Sequence, residues 1–226
     1  MARILFDTCH RMHILGLMLF WPATLFRKIY ALPWYRQILH IWFERLECAQ
    51  DSELLEVGCA SGQLTEYIAN RGISAVGVDN SANMLKQTKS STVNRARFEL
   101  ASAVNLPFEK NQFDCVIAAS LLNIVSQPEA AFSEMLRVCK PGGKVSVLVP
   151  QAGMTDQAVA HLASKLELSG FSRAILASWH RHAPKMQKAK VLEYFSRAGL
   201  QHIESNTYLN GMVLTVTGTR ASDSRQ

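Results

Sequence analysis

The sequence predicts an α/β protein built on a doubly wound sheet, and three stretches carry that expectation. The first is Glu53 to Gly62. There an apolar run ends in a carboxylate, glycines follow at 58 and 62, and Leu64, Tyr67 and Ile68 begin a helical pattern. That order describes a buried strand, a tight turn and a helix. The second is the regular alternation of strand and helix patterns from there to Val149. The third is Asn210-Gly211, a hairpin signal between two period-two runs near the C-terminus.

The chain has 226 residues, 48% hydrophobic and 19% charged, enough for one domain with a buried core and some additions. Five cysteines form no C-x-x-C pair, which favours a reducing compartment and predicts neither a disulfide framework nor a metal site. The net charge of +6 is uneven: +3 over residues 1–50, −1 over 51–150, +4 over 151–190 and 0 beyond. The positive flanks suit an anionic substrate, an anionic membrane surface or a simply solvated basic face. No nucleic-acid partner is expected.

Residues 1–50 read as an N-terminal helical cover. Met12 to Phe26 is apolar apart from His13 and Thr24, with Arg11 before it and Arg27-Lys28 after. It is shorter than the ~20 residues of a bilayer crossing, and Pro22 interrupts it. Two readings fit: a segment packed over the site, or a monotopic membrane contact through residues 12–28. The expected location is cytoplasmic, with membrane association as the second reading. Tyr35 to Cys48 carries a helical stripe, and Tyr30, Trp34 and Tyr35 are candidates for the substrate side or for plain packing.

Within the main domain, 51–220, strand Ser74–Val78 ends at Asp79-Asn80, and Ser81 caps a helix bearing Met84. Ala96–Leu100 and Phe113–Ala119 are the next strands. Pro128 opens a helix through Cys139, Pro141-Gly142-Gly143 turns, and Lys144–Val149 is the fifth strand. Residues 151–185 form an inserted lid, helical from about Asp156 to Leu168 and then a loop holding Trp179-His180-Arg181-His182. Gln187–Ala198 is the last helix, followed by strands Leu200–Tyr208 and Gly211–Thr219. Residues 221–226 are a tail.

The chemistry is argued from the glycine turn. A dinucleotide-binding turn reads G-x-G-x-x-G, and here position 60 is alanine in E-x-G-x-x-x-G. Glu56 beside the turn would repel a phosphate and welcome a cation. Asp79, ending the second strand, is placed to accept hydrogen bonds from both hydroxyls of a ribose.

At these residues the chain resembles the class I S-adenosylmethionine-dependent methyltransferases, above all the group acting on small molecules and lipids. The likeness runs from about Leu54 to Val149 and includes Asn105-Leu-Pro-Phe108, Gln112-Phe-Asp114 and Leu136-Arg-Val-Cys-Lys-Pro-Gly-Gly143. The resemblance implies a seven-stranded, mostly parallel, Rossmann-like sheet with one antiparallel strand, and S-adenosyl-L-methionine as cofactor. It assigns the cofactor to Glu56, Gly58, Cys59, Gly62, Asp79, Asn80, Met84, Ser102, Ala103, Val104, Ala119 and Ser120. Ser102 stands where the family usually has an aspartate gripping the adenine amino group. Asn123 stands near the position where relatives often carry histidine, and it cannot act as a general base. Substrate-side candidates are Tyr30, Trp34, Tyr35, Asn123, Trp179 and His180, around a small apolar or aromatic acceptor. Two alternatives accompany this reading: a non-catalytic S-adenosylmethionine-binding regulator and a nicotinamide-dependent oxidoreductase.

Overall fold

The computed structural model describes residues 12–86, 88 and 93–222. Arg11 of the N-terminal run and residues 223–226 of the tail lie outside them. Seven strands form one sheet: β1 (Glu53–Val57), β2 (Ser74–Asp79), β3 (Ala96–Leu100), β4 (Phe113–Ala119), β5 (Cys139–Pro150), β6 (Gln201–Tyr208) and β7 (Val213–Thr219). Their order across the sheet is β3-β2-β1-β4-β5-β7-β6. The first five pair in parallel, and β7 runs antiparallel to both β5 and β6. The order reverses between β1 and β4, and the crevice beyond the carboxyl ends of strands at such a switch point is where ligands bind.

Both faces of the central strands are buried, so they read as continuous apolar runs. Along β4, Val116 and Ala118 enter one cluster with Leu55, Val147, Phe132 and Phe195, while Cys115 and Ile117 enter another with Trp42, Ile68 and Leu148. The period of two delivers alternate side chains to helices on opposite faces. Ser146 is fully buried in β5 yet satisfied, accepting the indole N–H of Trp42 at 2.8 Å.

Nine helical segments lie among the described residues: α1 (12–20), α2 (Pro22–Tyr30), α3 (Pro33–Glu44), α4 (Gln63–Ala69), α5 (Ala82–Leu85), α6 (Pro128–Val138), α7 (Asp156–Lys165), α8 (Gly170–His182) and α9 (Lys188–Arg197). Pro22 divides the apolar run at Trp21, as a proline without an N–H dictates. A third cluster joins Ile14, Leu17, Leu25 and Trp34 to Met154, Leu162, Ile175, Leu176 and Met212. The N-terminal helices and the insertion therefore share one apolar core above the sheet.

Two expectations are corrected. Trp179 to His182 belong to the last turns of α8, not to a loop. Phe171, Ile175, Leu176 and Trp179 follow helical spacing into the third cluster, and His180, Arg181 and His182 sit at the carbonyl end, which favours cations. Pro141-Gly142-Gly143 does not end a helix before a separate strand. β5 already begins at Cys139, and the register against β4 jumps between the Phe113–Cys139 and Cys115–Lys144 pairs, making this stretch a bulge.

Candidate active site

The carboxyl edge of the sheet opens into a cavity of about 630 Å³. Its floor comes from the loop after β1, its sides from the ends of β2 and β4 and the segment after β3, and its roof from α1–α3 and α8.

The loop after β1 is anchored by backbone bonds: Gly58 and Cys59 both donate their N–H to the Val78 carbonyl, at 2.8 and 2.9 Å. Gly58 has φ +79°, and a Cβ there would stand 3.1 Å from Leu121 Cδ1. Both the conformation and the space favour glycine. Asp79 ties the rims together. One carboxylate oxygen accepts the Ala60 N–H at 2.9 Å and the other accepts the Ser81 N–H at 2.9 Å. Each oxygen keeps acceptor capacity on the cavity side for a ligand hydroxyl. Ser81 accepts the Met84 N–H at 3.4 Å and so caps α5, placing Met84 half-buried in the wall.

Glu56 is the electrostatic centre. It is 3% exposed, lines the cavity, and takes a hydrogen bond from Thr65 Oγ1 at 2.5 Å. No ion pair among the described residues reaches it. Burial outweighs the Thr65 hydrogen bond, and the carboxyl is pushed up to about 7, with nearby Asp79 adding to the rise. A buried carboxylate without a counter-ion, facing a cavity, is completed by a cationic ligand group and repels a pyrophosphate.

The opposite wall is aromatic. Trp34, Tyr35 and Trp179 form a three-ring group. Trp179 stacks on Trp34 with centroids 6.1 Å apart and meets Tyr35 edge-on at 5.7 Å. The Trp34 indole donates to Ser172 Oγ at 2.9 Å, so this wall is bonded to α8 as well as packed against it. Burial and neighbouring Glu56 push the Tyr35 phenol up to about 12, which keeps it neutral. Tyr30 lines the cavity with its hydroxyl held 2.8 Å from His40 Nε2.

Ser120 and Asn123, just after β4, line the cavity, and their Oγ and Oδ1 atoms are buried without a hydrogen-bond partner. The Asn123 amide donates to the Pro184 carbonyl at 3.2 Å, which fixes the side chain. Unpartnered buried polar atoms are costly, and a bound ligand group is one way to satisfy them.

Of the residues singled out from sequence, Glu56, Gly58, Cys59, Asp79, Asn80, Met84, Ser102, Ala103, Val104, Ala119, Ser120, Tyr30, Trp34, Tyr35, Asn123 and Trp179 all line this one cavity. Gly62 and His180 do not. Gly62 has φ +84° at the start of α4, and a Cβ there would lie 2.6 Å from the Phe98 ring, so its demand is packing. His180 turns Nε2 to Asp156, 3.0 Å away. Lining residues that the sequence reading did not single out include Ser61, Gln63, Leu121 and Ile175, while His182 of the Trp179–His182 stretch also lines it. The apolar spacing of α8 was the available signal for Ile175. No metal-binding group of side chains occurs among the described residues.

Residues 55–147 match the family model described as Methyltransferase domain. Over that stretch the chain is similar to known methyltransferase domains. Demethylmenaquinone methyltransferase of Renibacterium salmoninarum is 40% identical over 98 residues, covering 42% of this chain and 39% of that one. The protein of the same name from Oceanobacillus iheyensis is 28% identical over 196 residues, 79% of this chain and 82% of that one. Most of the leading curated relatives are spanned over less than half their length. Among solved structures, a candidate S-adenosylmethionine-dependent methyltransferase from Methanococcus maripaludis superposes with a TM-score of 0.65 at 17% identity, over 90% of this chain and 93% of that one. The cofactor of this domain is S-adenosylmethionine, and the cavity fits it. Glu56 would meet its positive charge, Asp79 would accept its ribose hydroxyls, and the glycine turn leaves room for its close approach to the backbone.

Proposed function

We propose that the protein transfers a methyl group from S-adenosylmethionine to a small acceptor with an apolar, ring-bearing body and a polar reacting end. One observation carries this: the three-ring group of Trp34, Tyr35 and Trp179 lines the same cavity as Ser120 and Asn123, whose Oγ and Oδ1 have no hydrogen-bond partner. Aromatic faces bind apolar rings. The two polar atoms would orient a hydroxyl or amine carried on such a ring. Two relatives are named for demethylmenaquinone, and an apolar quinol has this character.

Bound, S-adenosylmethionine supplies an electrophilic methyl group on a sulfonium. The residues contribute position rather than proton transfer. Glu56 and Asp79 hold the donor's charged and sugar ends, Asn123 and Ser120 align the acceptor, and the roof excludes water. Asn123 carries no titratable group, so the reading favours acceptors that are nucleophilic without a protein base.

The test is transfer of radiolabelled methyl from S-adenosylmethionine to a panel containing a demethylated quinol, a polar phosphorylated amine and an aromatic acid. Label in the quinol supports the proposal. Label confined to the phosphorylated amine, or cofactor binding with no transfer to any member, overturns it.

A further inference from the structure

Among the described residues, exposed large apolar side chains gather on α1 and the junction that follows it. Met12, Leu15, Met18, Leu19, Phe20 and Trp21 are all exposed, with Leu19 at 66%, Phe20 at 71% and Trp21 at 62%. Residues 12, 15 and 19 repeat at helical spacing along one side of α1. Ile14 and Leu17, on its other side, are buried in the third cluster. The helix is thus docked by one face while a second apolar face is turned outward. A monomer in water seldom presents so many large apolar side chains together.

Two further observations say what covers this face. From Met12 to Phe43 there is no acidic residue, while Arg27 and Lys28 stand exposed at the end of α2. A second copy of the chain laid face to face would bring like charges together, whereas an anionic surface neutralises them. The patch also reaches the mouth of the cavity, since Met18 belongs to both and the neighbouring Phe26 is an exposed lining residue.

We propose that α1 and the Phe20–Trp21 junction dock this protein on the surface of an anionic lipid bilayer, with Arg27 and Lys28 against the headgroups and the cavity mouth beside the acyl boundary. The nine described residues of α1 span about 13 Å, which suits a helix lying in the interface. No helix among the described residues is long and apolar enough to cross a membrane. The docking is separable from the proposed methyl transfer: the face would bind lipid whatever the acceptor, and an apolar acceptor would gain a route that avoids water.

The experiment uses the full chain with vesicles of phosphatidylcholine alone and of phosphatidylcholine mixed with phosphatidylglycerol. Co-sedimentation is expected with the mixed vesicles, falling as salt is raised. Trp34 and Trp42 are buried and Trp179 is half-buried against Trp34 and Tyr35, so the exposed Trp21 should dominate a blue shift in emission on binding, and Trp21→Phe should remove most of it. Leu19→Glu combined with Phe20→Ser should weaken vesicle binding by about tenfold or more, with S-adenosylmethionine affinity unchanged as the check on folding. Wild-type protein that stays in the supernatant at low salt, a blue shift that persists in Trp21→Phe, or a double variant that binds vesicles as well as wild type would each overturn the proposal. So would a dimer that Leu19→Glu dissociates in the absence of any vesicle binding.

Discussion

Thr65 Oγ1 donates to Glu56 Oε2 across 2.5 Å, linking the first turn of α4 to the end of β1 beneath the cavity. That hydrogen bond offsets part of the cost of burying the carboxylate, and the pKa of about 7 measures what is left. Because the folded value is raised from 4.5, Glu56 contributes stability that is fully present below about 4.5 and lost as pH rises through about 7. In cofactor-free protein this amounts to about 3 kcal/mol across that window. Glu56→Gln should flatten that dependence in chemical denaturation while weakening S-adenosylmethionine binding. In the wild type, affinity should fall as pH drops below about 7, because a protonated Glu56 no longer attracts a cation. An affinity that does not change between about pH 6 and about pH 8 would remove Glu56 from the cofactor site.

Asp79 does two jobs, and substitution separates them. Asp79→Ala leaves the Ala60 and Ser81 N–H groups without their partner, so stability should drop. Cofactor affinity should drop as well, by about 1–3 kcal/mol, if the oxygens also receive ribose hydroxyls. Calorimetry reads the second effect. Unchanged affinity with reduced stability would confine Asp79 to holding the loop.

Gly62 is expected to behave unlike Gly58. Gly62→Ala drives a Cβ into the Phe98 ring and holds alanine at φ +84°, which together should lower the melting temperature. Phe98→Leu in the same chain should restore part of it by making room, leaving the contact with Thr88 Cγ2, 2.8 Å from that Cβ, and a backbone cost of about 1 kcal/mol. Gly58→Ala, at φ +79°, shares the backbone cost, but its Cβ approaches only the flexible end of Leu121, so it should lose less stability than Gly62→Ala while weakening cofactor binding. A stable Gly62→Ala that fails to bind would show that Gly62 meets the ligand after all.

Asn123→Leu removes the unpartnered oxygen from the cavity and fills its place with an apolar group. The acceptor KM should rise about tenfold, as for the loss of one hydrogen bond, with cofactor affinity within twofold of wild type. A change in cofactor affinity with an unaltered KM would move Asn123 to the donor side.

The central sheet was legible in the sequence because buried parallel strands announce themselves as short apolar runs, and the runs ending at Val57, Asp79 and Ala119 have their strands where the pattern put them. The cavity floor was legible for the same reason: the chemistry sits at strand ends. The roof was harder. α8 ends in Trp-His-Arg-His, whose polarity masks the apolar spacing of Phe171, Ile175 and Leu176. Thr65 is not a chemical signal by itself. Its importance arises from lying under Glu56, a tertiary fact. The bulge in β5 was hidden because Pro141-Gly142-Gly143 is the ordinary signature of a turn, and only the tertiary backbone bonds of Gly142 and Gly143 with Arg220 carry the strand through it.

The third apolar cluster has a consequence for exchange of small molecules. It gathers side chains from α1–α3, from the insertion and from Met212, and it is bonded to the sheet far less extensively than the strands are to one another. A unit of that kind opens at a lower free energy than the whole molecule. Amide hydrogens of α7 and α8 should therefore exchange with solvent before those of β1 and β4. When the roof lifts, the acceptor half of the cavity is exposed while Glu56, Gly58 and Asp79 stay fixed on the intact sheet. On the proposed reading the donor's berth would outlast each such opening, and the acceptor would come and go past the part of the fold that opens first.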